Sequence, residues 1–409
     1  MLTVNGLPPS FQVMPQNLNV LRVEYVWLDG YETPNLRSKV RCVRWDNETF
    51  ETLVESLQVE PTDEPEELAA KDDKALSLIP TWGYDGSSTE QAPGGNSDCV
   101  LSPIRIYRDP FNFTDGIIVL CEVMDAETGE PHETNSRAKL REFVDSYATE
   151  KDGKPYNPFK EDQFIFAFEQ EYFIFDPKTG KPYKWPEGQL QPPSQGRFYC
   201  GVGGDVAWGR FIPDFHMKGC WHAGIPIFGT NGEVAPAQWE YQTIPAGFLR
   251  AGDNLWVSRF IANKLAELFE LNIKLDPKLH GDFNGTGCHT NFSTRMLRNY
   301  CGKPLLDILL KELEEYHPKH IAVYGSQNEH RLTGLHETCD INEFKGGSSD
   351  RGASIRIPLA AQANGGEDGG YLEDRRPAGN IDPYLVIQRL METVHNGQEK
   401  YKESLTPAT

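Results

Sequence analysis

Residues 164–175 read FIFAFEQEYFIF and constrain the fold more than any other part of the 409-residue chain. Their aromatic and β-branched residues predict a buried β-strand, yet Glu169 and Glu171 lie in its middle. Residues two apart on a strand point to the same side of the sheet, so the two carboxylates project together. Because an unpaired charge in an apolar interior is very costly, such a pair needs cations. The alternative is a half-exposed strand with two salt bridges.

Three further segments combine carboxylate, imidazole or amide side chains with an apolar or glycine-rich setting. The residues in question are Glu233, Glu240, His289, Asn291, Ser293 and Glu373. Several carboxylates and one imidazole in predicted strands suit hard divalent metals such as Mg²⁺ or Mn²⁺. The sequence has no Cys₂His₂ spacing, which argues against a structural zinc site. Taken alone, His289 is more typical of a buried core histidine.

Arginines concentrate in the last third of the chain. They are Arg331, Arg351, Arg356, Arg375 and Arg376. A guanidinium group holds a carboxylate or a phosphate through two parallel hydrogen bonds, although any one of these residues could instead form an exposed surface pair. The sequence contains no GxxxxGK[ST] motif, so nucleotide binding would depend on metals and arginines. The residues alone predict a metal-dependent enzyme that acts on phosphate or carboxylate groups.

Composition limits the partners and the compartment. The formal net charge of −20 argues against nucleic acid and anionic membranes, because a phosphate surface repels such a protein. No segment approaches the roughly 20 apolar residues of a membrane helix, and residues 1–16 do not resemble a secretory signal. The eight cysteines are scattered without a C-x-x-C pair, which favours reduced thiols in the cytoplasm.

The chain divides into a β-rich first part and a larger part in which strands and helices alternate. We predict domains over residues 17–128 and 129–409. The acidic stretch near residues 55–75 contains two prolines and is interpreted as a solvated loop or insertion. Strands are predicted over residues 23–28, 40–45, 104–107 and 117–124. Helices are predicted over residues 205–223, 251–271 and 305–316, and after Asp382 as N-cap with Pro383 in the first position.

Eight motifs, taken in order, resemble the glutamine synthetase family and its shorter, eukaryote-like type II branch. They are TWGYDGSSTEQAPGGNSD, EQEYFIFD, QGRFYCGVGGD, AGIPIFGTNGEVAPAQWEYQ, GDFNGTGCHTNFST, NEHRLTGLHET, DRGASIRIP and GYLEDRRPAGNIDPY. The resemblance extends from about residue 20 to about residue 390, and eight ordered motifs are far more specific than one. It implies an α+β fold, with a β-grasp-like N-terminal domain followed by a catalytic α/β domain.

The resemblance also implies roles for particular residues, including ligands for two or three Mg²⁺ or Mn²⁺ ions. The ligands of one ion would be Glu171, Glu233 and Glu240. The ligands of a second ion, which bridges the ATP phosphates, would be Glu169, His289 and Glu373. Glutamate and the transferring phosphoryl group would be bound by Asn284, Arg331, Arg351 and Arg375. The nucleotide would be held by Asn291, Ser293, Arg356 and Tyr371.

The implied activity is an ATP-dependent ligation of ammonia to the γ-carboxylate of glutamate through a γ-glutamyl phosphate. Asp85, in DGSS, would bind ammonium and take its proton, Arg351 would act on the phosphoryl group, and Glu337, in HET, would close over the intermediate. The type II resemblance implies a homo-oligomer of two stacked pentamers. Its active sites would lie between subunits, and a neighbour would contribute the DGSS loop.

The sequence departs from the family at several points. After WEYQ the family usually continues with Val-Gly-Pro, whereas this chain has residues 243–245 (TIP) near the expected nucleotide site. Residues 178–197 also diverge, and no adenylylation-tyrosine segment is found. Two alternatives remain, a family member that joins glutamate to another amine and a catalytically inactive structural member. The intact DGSS and HET motifs favour ammonia, and the six metal-ligand positions argue against an inactive protein.

Overall fold

The computed structural model describes residues 19–56, 65–112, 115–189, 193–279, 283–300, 302–358 and 370–405. It contains both helices and sheets, in agreement with the predicted α+β class. The chain forms two compact units. One comprises the described residues up to Asn135 together with His222–Gly224, and the other comprises Ser136–Trp221 and the described residues from Ile225 onward. The predicted domain boundary at residue 128 stays a prediction.

The first unit is built on a five-stranded sheet. Its strands are β1 (Val20–Leu28), β2 (Leu36–Arg44), β3 (Trp82–Asp85), β4 (Asp98–Arg108) and β5 (Gly116–Asp125). Their order is β2-β1-β5-β4-β3, in which β1 and β5 are parallel and the other neighbours are antiparallel. Val23, Tyr25 and Trp27 alternate along β1 and enter the core, as a strand period of two requires. The four strands predicted in this part of the chain are therefore confirmed.

Two helices lie in or next to residues 55–75, where an acidic loop was predicted. They are α1 (Asn47–Ser56) and α2 (Pro65–Ser77). The loop interpretation is wrong for the described part of residues 55–75. Pro65 opens α2, where its missing N–H has no helical partner to lose, and the Leu, Ala, Glu and Lys residues that follow favour a helix. Leu53 and Ala75 are buried in the core of the unit, so both helices contribute to its packing.

The second unit is built on a ten-stranded sheet and a separate hairpin of β6 (Thr149–Lys151) and β7 (Lys154–Tyr156). The strands of the sheet are β8 (Ile165–Asp176), β9 (Lys181–Pro182), β10 (Ile227–Gly232), β11 (Gln238–Thr243), β12 (Ala246–Gly247), β13 (Asn272–Lys274), β14 (Cys288–Ser293), β15 (Gly346–Ser348), β16 (Ile355–Ile357) and β17 (Leu372–Asp374). The main path runs β10-β11-β8-β14-β17-β16-β15, and β9, β12 and β13 also pair with β8. The strand predicted from FIFAFEQEYFIF is thus confirmed as the centre of the sheet.

Helices alternate with these strands along the chain. They are α3 (Ser136–Ser146), α4 (Pro158–Glu161), α5 (Phe211–His222), α6 (Phe248–Glu267), α7 (Arg295–Tyr300), α8 (Lys303–Glu315), α9 (His317–Ile321) and α10 (Pro383–Leu405). The helix predicted over residues 205–223 is shorter than expected, because it begins at Phe211 and places Pro213 in the first turn, where a missing N–H is tolerated. The Asp382 cap is confirmed, since its carboxylate accepts from the Tyr384 N–H at 3.0 Å.

A buried arginine joins α6 to the central strand. The Nε of Arg259 donates to the side-chain oxygen of Gln170 on β8 at 2.8 Å. Its two terminal nitrogens donate to the carbonyls of Ile381 at 2.7 Å and Gly379 at 3.0 Å, just before α10. These bonds satisfy a charged group inside the core and fix β8 relative to both long helices. None of the helices in the described part of the chain has the length and apolarity needed to cross a membrane.

Candidate active site

The pairing of three strands assembles the acidic side chains of the site. β8 lies between β11 and β14 in the sheet. In the antiparallel register Glu171 is opposite Glu240, and Glu169 is opposite His289. Directly opposite residues on antiparallel strands have side chains within about 5.5 Å of each other. The register therefore brings together polar residues that are as far as 120 positions apart in the chain.

Two groups of three side chains are suited to hold a cation. Glu171, Glu233 and Glu240 each offer an oxygen, and these atoms lie within 4.8 Å of one another. This group has the same members as the set expected for the first ion. In the second group, Glu169 and His289 are joined by Glu240 rather than by Glu373. Glu373 is nevertheless close, because its Oε1 is 3.7 Å from the His289 Nδ1.

Burial makes the charged form of these carboxylates expensive. Burial, together with the charge of Glu233, raises the pKa of Glu171 to about 8. Burial likewise raises the pKa of Glu233 and raises that of Glu240 well above its ordinary value, the latter with help from the charge of Glu169. A divalent cation placed among these groups would favour their ionised forms. The cluster therefore has the electrostatic character of a metal site.

Each of the four carboxylates accepts an N–H from an amide. Asn291 donates to Glu169 at 2.8 Å, and the Gly287 backbone donates to Glu171 at 2.7 Å. The remaining two donors are Asn231 on Glu233 and Gln242 on Glu240. Hydrogen bonds of this kind favour the ionised carboxylate without neutralising its charge. They fix one oxygen of each group and preserve the negative charge of the cluster.

One ring nitrogen of His289 forms a hydrogen bond, and the other has no hydrogen-bond partner among the described residues. Its Nε2 accepts from the Arg331 guanidinium at 3.1 Å. Its Nδ1 is buried without a hydrogen-bond partner among the described residues, at 3.5 Å from Glu169 Oε2. Burial, followed by the charge of Arg375, holds the pKa of the imidazole well below its usual range. Because Nε2 accepts, Nδ1 carries the ring proton, so a metal at Nδ1 would require that proton to move to Nε2 and the bond from Arg331 to break.

Two arginines hold the remaining predicted ligand, Glu373, on β17. Arg375 Nη1 donates to its Oε1 at 2.6 Å, and Arg356 Nη1 donates to its Oε2 at 2.7 Å. Arg375 also donates from Nε to the carbonyl of Arg351 at 2.9 Å. Buried Arg331 completes the group, and burial lowers the pKa of its guanidinium to about 10. Positive charge thus borders the acidic cluster on one side, which is suited to an anionic ligand.

An open cavity of about 190 Å³ joins these groups. The predicted site residues that line it are Glu169, Glu171, Glu233, Glu240, Asn284, His289, Arg331, Glu337, Arg351, Arg356 and Arg375. The lining does not include Asn291, Ser293, Tyr371 or Glu373. Asn291 reaches the lining through its bond to Glu169, and Glu373 lies beside His289 of the lining. Ser293 instead donates to the Gly370 carbonyl, beside half-buried Tyr371.

Asp85 belongs to the first unit, at the end of β3. Its Oδ1 accepts from the Ser87 N–H at 3.0 Å and the Ser87 hydroxyl at 2.6 Å, and its Oδ2 accepts from the Ser88 hydroxyl at 3.0 Å. The Ser87 hydroxyl is the main reason that the pKa of this carboxyl is lowered. The aspartate is therefore ionised at neutral pH.

Sequence reasoning missed several residues that line the cavity. They are Tyr199, Asn231, Gln242, Gly285, His336 and Thr338. Strand spacing contains a signal for two of them, because Asn231 lies two positions before Glu233 and Gln242 two positions after Glu240. His336 and Glu337 have positive φ angles of 54° and 61°. Two successive non-glycine residues in this region are uncommon, and strained backbone of this kind clusters at functional sites.

The divergent residues after WEYQ have a structural role. Thr243 ends β11 and is buried, and its hydroxyl accepts from the Phe168 N–H of β8 at 2.9 Å. Phe168 directly precedes Glu169 in the chain. The threonine therefore continues the attachment of β11 to β8 by a side-chain bond at the point where the backbone pairing ends.

Comparison with known proteins agrees with the geometry of the site. Residues 137–303 match the family described as glutamine synthetase, catalytic domain. The chain is 43% identical over 387 residues to a chloroplastic glutamine synthetase of Chlamydomonas reinhardtii, covering 92% of this chain and 91% of that protein. It is 44% identical over 375 residues to a glutamine synthetase of Emericella nidulans, covering 91% and 92%. It is 40% identical over 382 residues to a glutamine synthetase of Schizosaccharomyces pombe, covering 93% of each. The chain therefore belongs to the glutamine synthetase family.

Proposed function

We propose that this protein forms glutamine from glutamate and ammonia, with ATP as co-substrate and γ-glutamyl phosphate as intermediate. One observation carries the proposal: two carboxylate-rich groups and four arginines line a single cavity. Such a cavity can bind a nucleotide with its divalent ions and a second carboxylate substrate together. The relatives named glutamine synthetase support the same activity.

Mg²⁺ or Mn²⁺ ions, two or three in each site, fit the residues present. Glu171, Glu233 and Glu240 would hold the first ion. Glu169, His289 and Glu373 would hold the second, with Glu240 near both. The neutral imidazole of His289 and the raised pKa values of the buried carboxylates support this assignment. When bound, the ions would offset the negative charge of the phosphate groups.

The arginines and one amide would bind the anionic substrates. Asn284, Arg331, Arg351 and Arg375 are assigned to glutamate and the transferring phosphoryl group. A carboxylate is a poor electrophile, so phosphorylation must precede amide formation, and guanidinium groups stabilise the charge that spreads over the phosphoryl oxygens. Arg351 is held for this role by the bond from Arg375 to its carbonyl.

The nucleotide would be bound by residues of β14 and β16 and by the residue just before β17. They are Asn291, Ser293, Arg356 and Tyr371. Two of these carry buried polar atoms without a hydrogen-bond partner in the described chain, the Oδ1 of Asn291 and the Nε of Arg356. Buried polar atoms are normally satisfied, so these two are suited to a ligand that supplies the missing partner.

Two carboxylates would act on ammonia. Ammonium must lose a proton before it can attack an acyl phosphate. Asp85 would bind the cation and assist its deprotonation, because its carboxylate is ionised at neutral pH. Glu337 lies on the exposed rim of the cavity, where a closing segment would exclude water from the hydrolysable intermediate.

We infer that the protein works as a homo-oligomer of two stacked pentamers, with Asp85 reaching the active site of a neighbouring subunit. We also propose domains over residues 17–128 and 129–409, and a location in the cytoplasm. Free thiols at all seven described cysteines support a reducing compartment. Mass measurement of the purified particle tests the oligomer, for which a tenfold rather than single subunit mass is the expected result, and cell fractionation tests the location.

The activity is tested by measuring phosphate release with ATP, Mg²⁺ and glutamate, with and without ammonium, while glutamine is quantified. We expect ammonium-dependent phosphate matched by an equal amount of glutamine. Phosphate that appears only with another amine would instead assign the protein as a glutamate–amine ligase. No turnover in folded protein would overturn the enzymatic proposal.

A further inference from the structure

Two amide side chains connect carboxylates of the first proposed ion site. Asn231 Nδ2 donates to Glu233 Oε1 at 2.9 Å. Gln242 Nε2 donates to Asn231 Oδ1 at 2.8 Å and also to Glu240 Oε1. The result is a continuous chain of hydrogen bonds, Glu240–Gln242–Asn231–Glu233, which we call the amide bridge. None of its bonds depends on a charged donor.

The backbone of the β10–β11 pair is shaped to hold the amide bridge. Asn231 on β10 is directly opposite Glu240 on β11, and Gly229 is opposite Gln242. The register shifts between Ile227 and Gly229, just before this point. A Cβ on Gly229 would lie 2.9 Å from the Gln242 side-chain oxygen, so glycine leaves the space that this side chain occupies.

Neutral donors have a specific advantage in this position. A lysine or arginine would orient the carboxylates equally well, but its positive charge would compete with a cation for them. Amide N–H groups orient the carboxylates and leave the net negative charge available to a divalent ion. Among the described residues, neither Glu233 nor Glu240 forms an ion pair with lysine or arginine. The nearby guanidinium groups contact Glu373 and His289 instead.

We propose that Asn231 and Gln242 are positioning residues that hold Glu233 and Glu240 in the geometry needed to bind the first divalent ion. This role rests on the proposed function, because it presupposes that the cluster binds metal. The two residues act through the ligands and not on the substrates. Because they share one hydrogen bond, their contributions to ion binding are coupled.

The test is direct titration of metal-free, full-length protein with Mn²⁺, in which electron paramagnetic resonance reports the free ion. Gln242→Met keeps the length of the side chain and removes both donors, and Asn231→Leu does the same at the other position. We expect one class of Mn²⁺ site to weaken by about 10- to 100-fold, the range seen when partners of metal ligands are removed. The other class of site should weaken by a smaller factor, because Glu240 lies near both groups of ligands and Glu233 near only one. The double variant should lose less than the product of the two single losses.

A matched control and a milder variant guard against misfolding. Gln398→Met removes a buried glutamine donor that bonds the Thr294 hydroxyl and not a carboxylate of the cluster, and it should leave both Mn²⁺ classes unchanged. Gly229→Ala keeps every donor but crowds Gln242, so it should weaken the same class of site by a smaller factor.

The outcomes separate the two proposals. If the unaltered protein binds no Mn²⁺, the proposed metal sites are wrong, and the role of the amide bridge is overturned with them. If the unaltered protein binds Mn²⁺ and both variants bind it with the same affinities, only the amide-bridge proposal fails. It also fails if both classes of site weaken equally, since that pattern indicates a general structural defect.

Discussion

Arg375 donates to the Glu373 carboxylate at 2.6 Å, and the same guanidinium donates to the Arg351 carbonyl at 2.9 Å. It therefore ties a proposed metal ligand to the segment that carries a proposed phosphoryl-binding arginine. Arg375→Lys cannot make both bonds in the same geometry, because an ammonium group lacks the planar fork. We expect kcat/KM for glutamate to fall about 100-fold, which corresponds to about 2.7 kcal/mol of transition-state stabilisation.

Steady-state kinetics with purified protein measure this loss. Arg295→Lys is the matched control, because Arg295 forms an exposed 3.7 Å pair with Glu161 and such pairs contribute little. Activity of Arg375→Lys within about threefold of the unaltered protein would show that the link between Glu373 and Arg351 is dispensable.

The metal-free protein should lose stability as the pH rises. A carboxyl whose pKa is higher in the folded chain than in the unfolded chain stabilises the fold below the unfolded value of about 4.3, and that contribution is lost as pH rises through the folded pKa. Burial raises the pKa of Glu171 to about 8, and it also raises those of Glu233 and Glu240. With a chelator present, we therefore expect Tm to fall between about pH 6.5 and about pH 8.

The lower limit of this window avoids the buried histidines. Burial lowers the pKa of His216 to about 4 and lowers that of His289, so their contribution is lost only as pH falls through the unfolded value of about 6.5. Thermal unfolding monitored with and without Mg²⁺ checks the prediction. Mg²⁺ should raise Tm more at the upper end of the window, and Glu171→Gln should flatten the fall seen with chelator. A Tm that rises with pH in the chelated protein would contradict the assignment.

Glu337 should protect the acyl phosphate from water. Its side chain is exposed at the cavity rim, on backbone with a φ of 61°. In Glu337→Ala we expect ATP hydrolysis to exceed glutamine formation, with fewer than about half of the phosphates matched by glutamine, because an unprotected acyl phosphate is hydrolysed. Phosphate and glutamine are measured in the same reaction with ammonium present. Glu343→Ala, an exposed carboxylate of the following segment, should keep the two products equal.

Gly370 should not tolerate a side chain. Its φ is +107°, and an added Cβ would lie 2.2 Å from the Leu297 carbonyl oxygen and 2.6 Å from its carbon. Since backbone atoms cannot move aside cheaply, Gly370→Ala should destabilise the protein by at least about 2 kcal/mol and weaken ATP binding through the adjacent Tyr371. Thermal unfolding and nucleotide titration measure these effects. Gly94→Ala, which meets nothing within 4 Å, should match the unaltered protein in both.

The features that local chemistry determines could be predicted from the sequence. The apolar run around Glu169 and Glu171 identified β8, and the Asp382-Pro383 pair identified the start of α10. The same-face spacing of the two glutamates correctly suggested a common environment, since both line the cavity. Each of these inferences needs only residues that are adjacent or nearly adjacent in the chain.

Features that depend on strand register could not be predicted in this way. Glu240 lies near both groups of ligands only because β11 pairs with β8 in one particular register, and no local pattern specifies that pairing. The bond from Arg356 to Glu373 likewise depends on how β16 and β17 align. The loop interpretation of the acidic stretch fails because the helix propensity of residues 65–77 outweighs their charge and proline content.

The turn at Asp85 has a consequence for the proposed role of this residue. Ser87 and Ser88 donate three hydrogen bonds to its carboxylate, so residues within three positions of Asp85 hold this charge in place. The carboxylate that we propose for ammonium binding is therefore oriented by its own chain.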